Sequence, residues 1–128
     1  MIKGEIILSI STDVASIQIM AEVYKKNSTQ SVFEKTVNSL VQEVPYIDWV
    51  GIYLITEDQN LQLVESSDDA DDLGWEYNGE LKFPITNSME QQIGLIVVRS
   101  KQAIAFDVTD VTTLETIAEA IGQICYSN

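Results

Sequence analysis

Pro45-Tyr-Ile-Asp-Trp-Val-Gly-Ile-Tyr-Leu-Ile-Thr56 is the stretch in which the hydrophobic period of the chain changes. From Asp48 to Thr56 the residues are β-branched and aromatic, and the run is too short for a good helix, so it predicts a strand. Pro45 cannot donate a helical hydrogen bond and ends whatever helix precedes it. Trp49 and Tyr53 stand at even spacing and share one face of that strand. Glu57-Asp-Gln-Asn60 then predicts a four-residue hairpin turn, with Leu61 to Glu65 as the returning strand.

Upstream the period is helical. Val14, Ile17, Ala21 and Tyr24 recur at steps of three and four, predicting a first helix capped by Thr12 and running to about Lys26. Residues 2–10 read as a strand or an extended lead-in, and residues 1–11 as a lead-in segment. After the break at Asn27-Ser-Thr-Gln30, Ser31 and Glu34 stand at capping-box spacing. The second helix they open carries the stripe Phe33, Val37, Leu40, Val41 and Val44. Downstream, Glu80 to Thr86 predicts a third strand, in which Pro84 removes a ladder donor and so points to an edge. Asn87-Ser-Met-Glu90 turns the chain into Gln91 to Ser100, whose run Ile93-Gly-Leu-Ile-Val-Val98 predicts a central strand covered on both faces. A last helix starts at Asp107, with Asp110 placing a second acid at its positive end. Its stripe is Val111, Leu114, Ala118, Ile121 and Cys125, widened by Ile117 and Ile124. Helices at both ends of an antiparallel meander define an α+β layer fold in a single domain, 1–128.

Composition removes several functions. Seven basic residues against twenty acidic ones give a net charge of −13. Such a surface repels a polyanionic backbone and anionic lipid, so neither nucleic acid nor membrane is an expected partner. No apolar run approaches the ~20 residues that cross a bilayer. One cysteine and no export signal predict a cytoplasmic protein. With no histidine in the chain, Ser-His and Cys-His catalysis and the commonest zinc ligand are absent. Asp68, Asp69, Asp71 and Asp72 lack the spacing of a calcium loop and read as a solvated acidic segment. No metal or cofactor is expected, and no catalytic residue is assigned. Cys125, on an apolar stripe with few cations in the chain, reads as a structural thiol.

Four segments, in order, resemble the GAF-domain proteins that reduce free methionine-R-sulfoxide: Pro45 to Ile55, Gly79 to Ile85, Gln92-Ile-Gly-Leu-Ile-Val-Val-Arg-Ser100, and Phe106-Asp-Val-Thr-Asp-Val-Thr-Thr-Leu-Glu-Thr-Ile117. The resemblance covers most of the chain from Phe33 onward. It implies a GAF-like (profilin-like) antiparallel sheet of about five strands, with the N- and C-terminal helices packed on one face. It also implies a pocket in which Trp49 and Tyr53 line the wall and Glu80 binds the polar end of an amino-acid-like ligand. Two departures stand out. Val97 and Arg99 replace the family's two aspartates, and the cysteine-bearing segment is missing. In its place Ser66 to Asn78 forms a shortened acidic connection that spans at most about 45 Å extended, too short for a helix-and-strand cover. Sulfoxide reduction needs an attacking and a resolving thiol, so the chemistry is expected to be lost. Trp75 then becomes the expected filler of the pocket.

Three readings follow from the sequence. The first is a standalone cytosolic binding or sensing module that keeps Trp49, Tyr53, Glu80 and Trp75 for a small ligand. The second is a protein-interaction module with a self-plugged pocket. The third is a residual reductase using Cys125. The GAF resemblance further implies a homodimer through the terminal helices, for which the stripes Val14/Ile17/Tyr24 and Ile117/Ile121/Ile124 are candidates; burial of these stripes against the sheet explains them equally well.

Overall fold

The computed structural model describes residues 3–25, 28–68, 77–103 and 106–125, with 3–10 as backbone alone. The order is α1 (Lys3–Tyr24), α2 (Thr29–Glu43), β1 (Trp49–Ile55), β2 (Leu61–Ser66), β3 (Gly79–Thr86), β4 (Gln92–Ser100) and α3 (Val108–Cys125). The strands make one antiparallel sheet in the order β2-β1-β4-β3. Four strands are present among the described residues, against about five expected. Pro84 lies on edge strand β3, where its missing amide costs no ladder bond, and β4 is central as its apolar run predicts.

Register divides the sheet into two faces. Val50, Val98 and Leu81 stand in one row, Ile52, Ile96 and Phe83 in the next, then Leu54, Gly94 and Ile85. The side chains of these rows join the core under the helices. Residues one position along point the other way, as strand alternation requires. Helices α2 and α3 pack directly on the strands, and α1 packs across α2 and α3. The terminal helices thus lie on one side of the sheet, with α1 reaching it through its neighbours. Close contact between α3 and β3 is set by Gly122, where a Cβ would fall 1.9 Å from the Thr86 carbonyl oxygen.

The N-terminal reading needs correction. Residues 3–11 are helical, neither strand nor extended lead-in, and Thr12 lies inside α1 rather than capping it. Thr12 is fully buried. Its hydroxyl donates to Asp110 Oδ1 and lies 3.2 Å from the Tyr46 hydroxyl, which itself donates to Asp110 Oδ2 at 2.6 Å. This triad ties α1, the α2–β1 connection and α3 together. Asp110 also closes a reciprocal cap: its amide donates to Asp107 Oδ1 at 2.7 Å, while the Asp107 amide donates to Asp110 Oδ2 at 3.2 Å. The start of α3 therefore falls where the two acids predicted it.

The α1 stripe, read as fit either for the core or for helix pairing, faces outward. Ile17 is 69% and Tyr24 76% exposed, whereas Ala15 and Ile19 are fully buried. The helical period is as read from the sequence, and its phase is set by tertiary contact, because α1 is apolar on two faces. On α2 the cap is Ser28, whose hydroxyl oxygen accepts from the Ser31 amide at 3.1 Å. Ser31 instead donates to Glu22 Oε2 on α1 at 2.6 Å. The predicted α2 stripe is otherwise observed, with Phe33, Val37, Leu40 and Val44 buried.

Burial, followed by the hydrogen bond to Asp110, raises the Tyr46 pKa far above its ordinary value. Because the folded pKa exceeds the unfolded one, the stability this residue contributes is complete below about pH 10 and is lost above it. Tyr46→Phe should lower unfolding free energy by about 1–3 kcal/mol near neutrality. It should also flatten the alkaline fall in stability, as read by urea titrations at neutral pH and above pH 10.

Candidate functional site

The sheet face turned away from the helices holds the residues singled out by the sequence. Trp49 on β1, Arg99 on β4 and Glu80 on β3 stand directly opposite one another in a single row. The next row is Gly51, Val97 and Lys82, and the third is Tyr53, Leu95 and Pro84. Three of the four expected site residues, Trp49, Tyr53 and Glu80, therefore share one face. Trp75, with Asp69, Asp71 and Asp72, lies outside the described residues. Asp68 is exposed at the end of β2.

Trp49 is completely buried, its ring laid along its own strand over Gly51. A Cβ at Gly51 would come within 2.2 Å of the Trp49 ring; here a glycine is required by close approach. Arg99 lies over the indole, its guanidinium carbon 5.0 Å from the ring centroid, and 4.4 Å from the ring centroid of Tyr77. Its Nε donates to Glu80 Oε2 at 2.8 Å. Lys82 Nζ, more than half exposed, is 3.7 Å from Glu80 Oε1. Stacking a desolvated guanidinium on an aromatic face contributes about 1–2 kcal/mol. The exposed lysine adds little, because water screens it.

The arrangement changes what Glu80 can do. The resemblance assigned that carboxylate to the polar end of a ligand; in this chain Arg99 engages it. Arg99 stands at one of the two positions where the resembled reductases have aspartate, and with Lys82 in the neighbouring row it sets two cations against one acid. The stacking of Arg99 on Trp49 and the part played by Tyr77 were not legible in the sequence. The direct cross-strand pairing of Trp49 with Arg99 carries that signal once register is known. Among the described residues, the buried indole Nε1 of Trp49 finds no acceptor.

Cys125 is on the other side of the sheet. It ends α3, half buried against the core, and burial raises its thiol pKa. The sheet separates it from Glu80, which the residual-reductase reading required within its reach. On the helix side a cleft of about 410 Å³ opens between α3 and the β3–β4 turn, lined in part by Glu90, Glu115 and Glu119. No group of three acid, cysteine or histidine side chains among the described residues converges as a metal site. Likewise, no described helix is long and apolar enough to cross a membrane.

With this geometry in hand, the fold is that of a GAF domain. The GAF domain of a phosphoenolpyruvate-protein phosphotransferase from Coxiella burnetii superposes with a TM-score of 0.75 at 15% identity, over 93% of this chain and 95% of that one. The corresponding domain from Acinetobacter gives 0.74 at 18% identity, over 86% and 89% of the two chains. The fRMsr of Staphylococcus aureus in complex with substrate also gives 0.74, at 16% identity over 87% and 93%. No family model matches the sequence, and no curated protein does so significantly.

Gly51→Ala should force the Trp49 ring off its strand, with a cost of about 1–3 kcal/mol for the overpacked site. In a Trp75→Phe background, the expected outcome is a red-shifted and more readily quenched Trp49 emission.

Proposed function

We propose that this protein is a non-catalytic interaction module of GAF fold, which pairs with a second copy of itself through α1 and closes its sheet-face site with its own side chains. The observation that carries this reading is the outward stripe of α1. Val14, Ile17, Ala21 and Tyr24 are spaced three, four and three apart and all are exposed. The sequence continues the spacing back through Ile10 and Ile7 within the same helix. A heptad-like apolar seam from Val14 to Tyr24 on an outer helix matches what helix pairing needs, and an apolar strip left in water is characteristic of an interaction surface. The other candidate stripe is not available, since Ile117 and Ile121 are fully buried. Symmetric pairing of like surfaces is the commonest form of assembly.

Absence of catalysis rests on the cysteine-free connection and on the half-buried, protonated Cys125 behind the sheet. The charge of −13 directs the module away from nucleic acid and anionic membrane, and its single cysteine suits the cytoplasm. A small-molecule sensor with an amino-acid-like ligand is the second reading. It is favoured by the Trp49 Nε1 donor, which a ligand oxygen would satisfy. Such a ligand would compete with Arg99 for Glu80.

Sedimentation velocity across a concentration series tests the pairing. The wild-type protein is expected to dimerise, and Ile17→Glu to weaken the dimer about tenfold or more, with its circular dichroism unchanged. Each copy repels the other through its net charge. Raising salt from about 0.05 M to about 0.5 M should therefore tighten the dimer, as screening lengths shorten. A protein monomeric at all accessible concentrations, with Ile17→Glu indistinguishable from it, would remove this reading.

A further inference from the structure

We infer that Trp49, Tyr77 and Glu80 form a guanidinium-recognition site and that Arg99 is its built-in occupant, holding it closed. This deepens, and rests on, the reading of the sheet face as closed by the chain's own residues. Two aromatic faces and a carboxylate are the parts from which proteins build receptors for organic cations. Here the cation is supplied from within. The guanidinium carbon stands 5.0 Å from one ring centroid and 4.4 Å from the other, with Nε 2.8 Å from Glu80.

The fit is to arginine in particular. A planar guanidinium stacks on rings and keeps N–H donors in its plane for a carboxylate, whereas an ammonium is a compact, strongly hydrated point charge. The side chain is only 8% exposed, so the site is desolvated. Sheet register fixes the arrangement, because Arg99 is the direct cross-strand neighbour of both Trp49 and Glu80. Truncating Arg99 leaves a cage of guanidinium shape in which Glu80 keeps only the exposed Lys82 as a cation, so an external guanidinium can take the vacated place. With Arg99 present the cage is saturated at an effective concentration no free ligand matches.

The test uses Arg99→Ala, titrated with methylguanidinium chloride at constant ionic strength. It is followed by the Trp49 indole signal in 15N NMR and by thermal unfolding, with N-methylurea as neutral isostere. The expected result is a saturable Trp49 shift and a rise in Tm with methylguanidinium, neither with N-methylurea, and no saturable shift in the wild-type protein. Adding Glu80→Gln should weaken that binding about tenfold. A folded Arg99→Ala protein with no saturable response overturns the proposal, as does equal binding by the wild type. Should Arg99→Ala not fold, Arg99→Lys serves, since lysine cannot satisfy both rings and Glu80. Its Trp49 signal is then expected to respond to methylguanidinium, and an unresponsive signal overturns the proposal. Dimerisation through α1 is read on another face, so either idea can fail alone.

Discussion

Everything in this molecule is arranged around the pair of central strands, β1 and β4, which must be covered on both faces. Their core-facing rows, built from Val50, Ile52, Ile96 and Val98, are buried by α2 and α3 through apolar contact of the ordinary kind. The opposite rows carry Trp49, Val97 and Arg99, all buried as well. That face is covered by a different device. A tryptophan lies flat along its strand, which only a glycine at position 51 permits, and an arginine lies on the tryptophan. Burying the guanidinium would be costly by itself. Two aromatic rings and the Glu80 carboxylate offset that cost.

The same economy of contact explains the helices. Helix α1 packs on α2 and α3 and is fixed in place by Thr12, whose hydroxyl meets Tyr46 and Asp110 in the interior. Asp110 is at once a helix cap, an acceptor from two hydroxyls and the link between chain ends nearly a hundred residues apart. Buried polar networks of this kind are favourable only when every member is satisfied, and here each oxygen has its partner. Because the network fixes the rotation of α1, it also decides which apolar face of that helix is left for another molecule.

Parts of the design were legible from residue order. Strand β1 followed from the β-branched run after Pro45, the edge position of β3 from Pro84, and the central position of β4 from its unbroken apolar run. The start of α3 followed from Asp107 and Asp110. Other parts were not legible. Residues 2–10 read as extended because Ile6-Ile7-Leu8-Ser9-Ile10 favours strand locally, but helix propensity differs by well under 1 kcal/mol per such residue, too little to decide the element by itself. Thr12 looked like a cap because nothing in its neighbourhood reveals a hydroxyl partner thirty-four and ninety-eight residues away. Of the site, Trp49, Tyr53 and Glu80 were legible by resemblance to GAF proteins, while the position of Tyr77 on Arg99 was not.

The sequence by itself determined the class of fold, the single cysteine and the strongly acidic charge balance, since these depend on residue types and on local period. Tertiary structure alone decided which face of α1 is exposed and what Glu80 is bonded to. A helix apolar on two sides has no preferred phase until neighbours bury one of them. A carboxylate on a strand has no partner until register sets the residue across from it, and here register sets Arg99.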